Sequence, residues 1–268
     1  MISWPPRPDD TPINWGDEPV EPPPPPSAGR SIRLAFSSAY DYAGSAIASS
    51  IIAFVVYYTA VAILIGAFLR LGTTHRQSGV FILGLVVLLG PIVLGPFTAG
   101  LYTLAHAMFN RDDPHVFDMW RGAVKHIRSS WALAYAQTLV TTVLVGDLYF
   151  LLTRPGVALK VIGVIVGYLL LFWLMMLVYQ WPLLVEQGKP LKTTVLRSAL
   201  LAAHNPFYTL AFCVVVLLML ALPLYLFVSY PAGAASLIPV SLMWSIIIAS
   251  LHTSATLEIL RKYPDPSE

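Results

Sequence analysis

Charge is scarce in this chain. Only 11% of its 268 residues are Asp, Glu, Lys or Arg, where a soluble domain carries about 25%. Mean hydropathy is +0.71 and 57% of residues are hydrophobic, which excludes a soluble globular protein. Cysteine is nearly absent. Cys213 stands alone inside an apolar block, so it forms no internal disulfide, has no zinc-ligand set beside it, and reads as a small core residue. The net charge of +2 gives no sign of a nucleic-acid partner. Enzyme signatures are missing too: there is no HExxH, GxSxG or GxxxxGK[ST], and no pair of carboxylates within an apolar block. The chain therefore reads as a non-enzyme with no catalytic residue, metal or cofactor. An intramembrane hydrolase with scattered residues ranks third among the alternatives, and any ATP-driven step needs a separate subunit.

What is abundant lies in blocks. Six apolar stretches, near Gly44–Leu69, Val80–Leu104, Trp131–Leu152, Ala158–Leu183, Phe207–Val228 and Ala235–Leu257, are each long enough to cross a bilayer. The expected fold is an all-α membrane protein of six transmembrane helices. Residues 1–43 hold no apolar leader segment; they carry PPRPDDTP and EPPPPP and read as an acidic, extended, disordered tail. This tail is either passive or a proline-rich ligand. Residues 44–260 form the membrane domain, and 261–268 a short tail. With the N-terminus inside, twelve of the sixteen basic residues flank inner segments and four flank outer ones. Both termini are expected on the cytoplasmic side.

Two inner loops have helical patterning. NRDDPHVFDMWRGAVKHIRSSW puts Val116, Trp120, Ala123, Val124, Ile127 and Trp131 on one side and Asp118, Arg121, Lys125 and Arg128 on the other. Asp113 and Pro114 suit its start. This is a basic amphipathic helix lying in the cytoplasmic interface, or a loop helix packed on the bundle. EQGKPLKTTVLRSALLAAHNPFY repeats the plan, with Leu191, Val195, Ala199 and Ala202 opposite Thr193, Arg197 and His204. Aligning Arg121 with Arg197 brings Pro114 onto Pro190, Arg128 onto His204 and Trp131 onto Phe207. Span, amphipathic helix, span thus occurs twice, a parallel internal repeat. Trp120, Arg121, Lys125, Arg128, Arg197 and His204 are the candidates for meeting the interface or a partner.

Residues inside the spans supply the other candidates. GPIVLGPFTAGLY, residues 90–102, places Gly90, Pro91, Gly95, Pro96, Ala99 and Gly100 in the second span. Pro91 deprives the Val87 carbonyl of its helical partner, and Pro96 that of Ile92. Such carbonyls need other donors, so this span faces protein or a wet cavity. It is either a kinked, tightly packed helix or a broken helix at a substrate site. His106, Asp147 and His252 are the candidate intramembrane polar groups. Asp147 has Arg154 within reach as a partner. No carboxylate or lysine sits at a midplane, which counts against a proton- or sodium-coupled carrier.

GPFTAGLYTLAH followed by VFDMWRGAVKHIRSSW resembles the signature of the YesL family of bacterial membrane proteins. There a GPATAGLYY-type segment precedes a short interfacial helix. WPLLVEQGKPLKTTVLRSALLAAHNPFYTL, residues 181–210, is similar to the family's second block, a YPLL, a basic segment and ALANP. The resemblance covers roughly residues 40–260; Phe97, in place of a small residue, and the acidic tail depart from it. The family's activity is unknown. The resemblance implies a bacterial inner-membrane protein in an accessory role in oligosaccharide uptake, with transporter subunits as partners through the cytoplasmic face. The alternative is a permease or transport-conducting subunit, against which stands the lack of a permease-type EAA loop.

Overall fold

A computed structural model describes residues 26–72, 76–110, 113–188, 190–229 and 234–262. Among the described residues the protein is wholly helical: α1 Ala28–Asp41, α2 Ala43–Gly72, α3 Arg76–Asn110, α4 Val116–Lys125, α5 Ile127–Thr153, α6 Val157–Gln187, α7 Leu191–His204, α8 Pro206–Ser229 and α9 Ala234–Lys262. Three described stretches, Leu88–Asn110, Ile127–Thr153 and Val157–Gln187, are by themselves long and apolar enough to cross a bilayer. The number rises to five if two bent pairs each count as one span. The chain is a membrane protein. Residues 1–25, 230–233 and 263–268 lie outside the described residues.

One expectation fails at once. The disordered tail does not reach residue 43, because Ala28–Asp41 is helical and has Ser31, Ala35 and Ala39 buried. Those residues recur every fourth position and give the segment a small-residue face that packs on α9. Proline enrichment ends at Pro26, so nothing in the backbone prevents a helix after it. The start of α4 also differs from expectation. Asp113 does not cap it; it lies at φ 51°, in the left-handed region that aspartate tolerates better than most residues. The carboxylate of Asp118 instead accepts the backbone N–H of His115 at 2.8 Å, as an acidic third residue does in a capping box. α6 ends at Gly188, whose φ of 56° is the left-handed conformation glycine supplies at helix ends.

A short helix followed by two long ones occurs three times in sequence order. Each short helix meets the next long helix at a single non-helical residue: Tyr42 (φ −113°, ψ 39°), His126 (φ −104°, ψ 15°) and Asn205 (φ −130°, ψ 57°). At all three the corner N–H donates to the carbonyl four residues back, and the corner carbonyl accepts from the N–H four residues on. The chain turns by 94° between α1 and α2 and by 104° between α7 and α8. The seventh residue before each corner is buried (Ala35, Met119, Ser198), and so is the fourth after it (Ala46, Ser130, Thr209).

The packing is cyclic. α3, α6 and α9 each touch the other two and form the centre. α2 lies against α9 and α3, α5 against α3 and α6, and α8 against α6 and α9. The short helices complete the pattern, with α4 on α3, α7 on α6 and α1 on α9.

The proline-rich part of α3 explains part of this packing. α3 stays helical through Pro91 and Pro96, so the broken-helix alternative is excluded. The Ile92 carbonyl, left without a partner by Pro96, accepts Trp131 Nε1–H of α5 at 2.8 Å. One turn earlier the Leu88 carbonyl accepts the Tyr135 hydroxyl at 2.6 Å. Two donors four residues apart on α5 thus bind two carbonyls four residues apart on α3. The glycines set the approach. A Cβ on Gly95 would lie 2.9 Å from the Ser130 carbonyl oxygen of α5, and one on Gly100 would overlap the Met119 carbonyl of α4. Ala99 is fully buried and Pro91 is buried, whereas a Cβ on Gly90 would meet nothing.

Candidate functional site

The polar groups of the bundle gather where the second halves of α3 and α6 meet α9. Tyr102 of α3 shares a 2.6 Å hydrogen bond with His252 Nδ1 of α9. The Tyr102 ring also stacks on Trp181 of α6, centroids 6.2 Å apart and planes 16° apart. Trp181 Nε1–H donates to Gln137 Oε1 at 3.1 Å, and Gln137 Nε2–H donates to Gln180 Oε1 at 2.8 Å. Polar side chains from all three central helices therefore converge, Tyr102 from α3, Gln180 and Trp181 from α6 and His252 from α9, and α5 contributes Gln137. Tyr102, Trp181, Gln180 and His252 are all buried. Burial in an apolar bundle makes each of these bonds costly to leave unmade, about 1–3 kcal/mol per stranded group.

Five buried polar atoms have no hydrogen-bond partner among the described residues: Ser38 Oγ on α1, Ser50 Oγ on α2, Gln180 Nε2 on α6, and Ser250 Oγ and Thr253 Oγ1 on α9. Ser250, Thr253 and Ser254 follow one another on a single side of α9, by helical spacing. This layer offers neutral donors and acceptors and aromatic faces. It suits hydrogen bonding to an uncharged polar group, and the Tyr102–His252 pair can pass a proton along one bond. Among the described residues no three His, Cys, Asp or Glu side chains gather where a metal could sit.

A second layer follows toward the ends of α3, α6 and α9. His106, one turn beyond Tyr102, pairs through Nε2 with Glu186 of α6, and Asn110 Nδ2 lies 3.1 Å from His106 Nδ1. Near the end of α9, Glu258 ties down α1: it accepts from the Ser27 N–H at 3.3 Å, from Arg30 at 3.3 Å and from Ser31 Oγ at 3.4 Å. Ser31 Oγ also shares a 2.7 Å bond with Tyr208 of α8.

The three expected intramembrane groups therefore separate. His252 is in the core and His106 lies one turn away. Asp147 is exposed on α5, and the expected Asp147–Arg154 pair is not made; the Arg154 guanidinium lies 5.0 Å from the Phe150 ring centre instead. Tyr102, Gln137, Gln180, Trp181, Glu186 and Glu258 were not among the expected site residues. Two glutamines inside otherwise apolar blocks were the available signal.

The amphipathic segments sit at the corners. On α4, Met119 and Gly122 are buried against α3, while Phe117 (76% exposed), Trp120 (70%) and Val124 face outward with Arg121 and Lys125. Arg121 pairs with Asp118 at 3.3 Å, and Arg128 is exposed in the first turn of α5. On α7 the arrangement inverts the usual rule: Thr194 and Ser198 are buried, while Leu196 and Leu200 are exposed. Arg197 is half-buried, and His204 ends α7 with Nδ1 2.8 Å from the Leu200 carbonyl. At the α4–α5 corner, burial and then the neighbouring Lys125 charge hold the His126 imidazole below its ordinary pKa of 6.5. No protein-family model, curated protein or solved structure matches the chain.

Proposed function

We propose that the chain is a six-span bacterial inner-membrane protein with both termini cytoplasmic, and that it acts as a non-enzymatic accessory component linked to oligosaccharide uptake. The long helices α2, α3, α5, α6, α8 and α9 are the six spans. α3, α6 and α9 then all run inward, and each short helix lies in the cytoplasmic interface before its span. The three short–long–long units form a parallel repeat, with corners at Tyr42, His126 and Asn205. This extends the two-copy repeat to three and moves its register by three residues.

The observation that carries the non-enzymatic reading is the mutual engagement of the central polar groups. Tyr102 is bonded to His252, Trp181 to Gln137 and Gln137 to Gln180, so these side chains tie the helices to one another, and the chain carries no HExxH, GxSxG or GxxxxGK[ST] pattern. The link to uptake rests on the resemblance of residues 95–131 and 181–210 alone. Its test is deletion of the gene and growth on oligosaccharides, with detergent pull-down of the full chain. Slowed growth and a co-purifying transporter subunit are expected; unchanged growth with no such subunit overturns it.

A second reading, a transport-conducting subunit, is favoured by one observation. Gln180, Ser250 and Thr253 present buried polar atoms with no partner among the described residues, as groups lining a solute path would between solutes. Labelled-sugar uptake into proteoliposomes containing this chain alone separates the two. Uptake that disappears in a Gln180→Leu variant establishes conduction, and no uptake above empty vesicles rules it out.

A further inference from the structure

The three short helices share two properties that a purely structural corner does not need. Each leaves large apolar side chains uncovered: Phe36 and Tyr40 on α1, Phe117, Trp120 and Val124 on α4, Leu196 and Leu200 on α7. Each also places an exposed cation beside them. Arg33 lies three residues before Phe36, Lys125 follows Val124, and Lys192 lies four residues before Leu196. Arg128 adds a fourth, one turn after Val124. None of these four cations has an ion-pair or hydrogen-bond partner among the described residues, in contrast to Arg30 and Arg121, which are paired within the protein. The helices meet their spans nearly at right angles where the angle is defined, 94° and 104°. They pack on three different central helices, α9, α3 and α6, so they surround the bundle rather than crowd one side.

We propose that α1, α4 and α7 form a collar that binds anionic phospholipid headgroups, with Arg33, Lys125, Arg128 and Lys192 at the phosphates and the Phe36, Trp120 and Leu196 side chains among the upper acyl carbons. The proposal rests on the six-span topology above, because it needs the three helices at one membrane face. Charge decides the occupant. A soluble protein partner would leave six or more large apolar residues to be covered on three separate helices, whereas a headgroup layer covers all three at once. A zwitterionic surface has no net negative charge to balance the cations, because each phosphate there is already paired with an ammonium group. The collar also assigns a role to α1: it supplies the third side of the ring, and Glu258 holds it there through Ser27, Arg30 and Ser31.

The test uses the full chain, purified in detergent and titrated with phosphatidylglycerol, phosphatidylcholine or inorganic phosphate, with bound lipid counted by native mass spectrometry. Retention of phosphatidylglycerol at least about tenfold tighter than of phosphatidylcholine is expected, since each cation near an anionic surface is worth about 1 kcal/mol, or about fivefold. The variant R33Q/K125Q/R128Q/K192Q should lose most of that preference while eluting as a folded monodisperse species. Trp120→Phe in nanodiscs should remove a large part of the tryptophan quenching produced by brominated acyl chains. Equal retention of both lipids, an unchanged preference in the fourfold variant, or full competition by millimolar inorganic phosphate would each overturn the proposal. The three-variant set Arg33→Gln, Lys125→Gln and Lys192→Gln, measured singly, keeps the test valid if the fourfold variant does not fold. No transporter subunit enters this assay, so its outcome is independent of the uptake experiment.

Discussion

From Val157 to Phe172, α6 is exposed or half-exposed at every position except Gly163; from Trp173 to Leu184 it is buried at all but Leu174 and Leu177. Both halves are mainly apolar, the first interrupted by Lys160 and the second by Gln180. The second half is enclosed by α3, α5, α7, α8 and α9 and carries Gln180 and Trp181 into the polar core. The first half leans mainly on α5, where Gly163 lets Leu151 and Leu152 approach. A helix hydrophobic all round can be covered by lipid or by protein, and here a single helix does both. What sets the halves apart is the company of polar groups: hydrogen-bonded side chains occur where helices enclose one another, because a stranded donor in lipid has no water to turn to.

The sharpest way to break this contrast is to compare two glycines. Gly100→Val forces a side chain into the Met119 carbonyl of α4, a backbone atom that cannot rotate away. It should cost about 3 kcal/mol or more and be read as a large drop in the detergent melting temperature. Gly167→Ala, in the exposed half of α6, meets only Leu148 at 3.9 Å and should be neutral or stabilise by about 0.5–1 kcal/mol through helix propensity. Equal effects would show that the two regions are packed alike.

Neighbouring aromatics give the next test. Trp173 is 8% exposed and its Nε1–H bonds Thr141 Oγ1 at 3.0 Å; Phe172 is 37% exposed. Trp173→Ala should cost about 3–5 kcal/mol and Phe172→Ala under about 1 kcal/mol, measured by urea unfolding in mixed micelles. A smaller effect follows at the Ile92 carbonyl, which Pro96 leaves open. Trp131→Phe removes the donor to the Ile92 carbonyl and should cost about 1–2 kcal/mol. It should lower stability less in a Pro96→Ala background, where the Ile92 carbonyl regains a helical N–H; additivity of the two changes would show that the bond is incidental.

The smallest effect is the pH response of the α4–α5 corner. His126 is held below its ordinary pKa by burial and by Lys125. A histidine with a depressed pKa in the folded state is neutral there, while the unfolded chain still binds the proton. Its contribution is therefore present above about pH 6.5 and is lost as pH falls through the window below it. Melting temperatures between about pH 7.5 and pH 5 should decline less in His126→Gln than in the wild type. An identical slope in both would remove His126 as the source.

The long helices were legible from residue type. Each of the six apolar blocks lies inside a long helix, and three described stretches, or five with the bent pairs, are long and apolar enough to cross a bilayer. The packed role of Gly95, Pro96 and Gly100 was also legible, since a proline in an apolar helix obliges another donor to come near. Other features were not. α1 was hidden because Ser31, Ala35 and Ala39 form a small, weakly apolar face that pattern reading passes over. The buried Thr194 and Ser198 on α7, with Leu196 and Leu200 outside, defeat any rule that assigns the polar face to water. The exposed side there mixes Leu196 and Leu200 with Lys192, Thr193 and His204, and the buried side holds Thr194, Ser198, Leu201 and Ala202, mostly small residues that let helices approach.

By itself the sequence determined that this is a helical membrane protein, where its long helices lie, and that α3 must be answered by donors from another helix. Those are consequences of chain-local facts: apolar length, and a missing N–H at Pro91 and Pro96. The tertiary structure decided which donors answer, that Tyr102, Trp181 and His252 meet at the centre, that Asp147 stays apart from Arg154, and that three corners share one backbone turn. Those outcomes depend on which helix lies beside which. Side chains far apart in sequence become partners only when close packing of the small residues has set the helices at a particular distance and rotation.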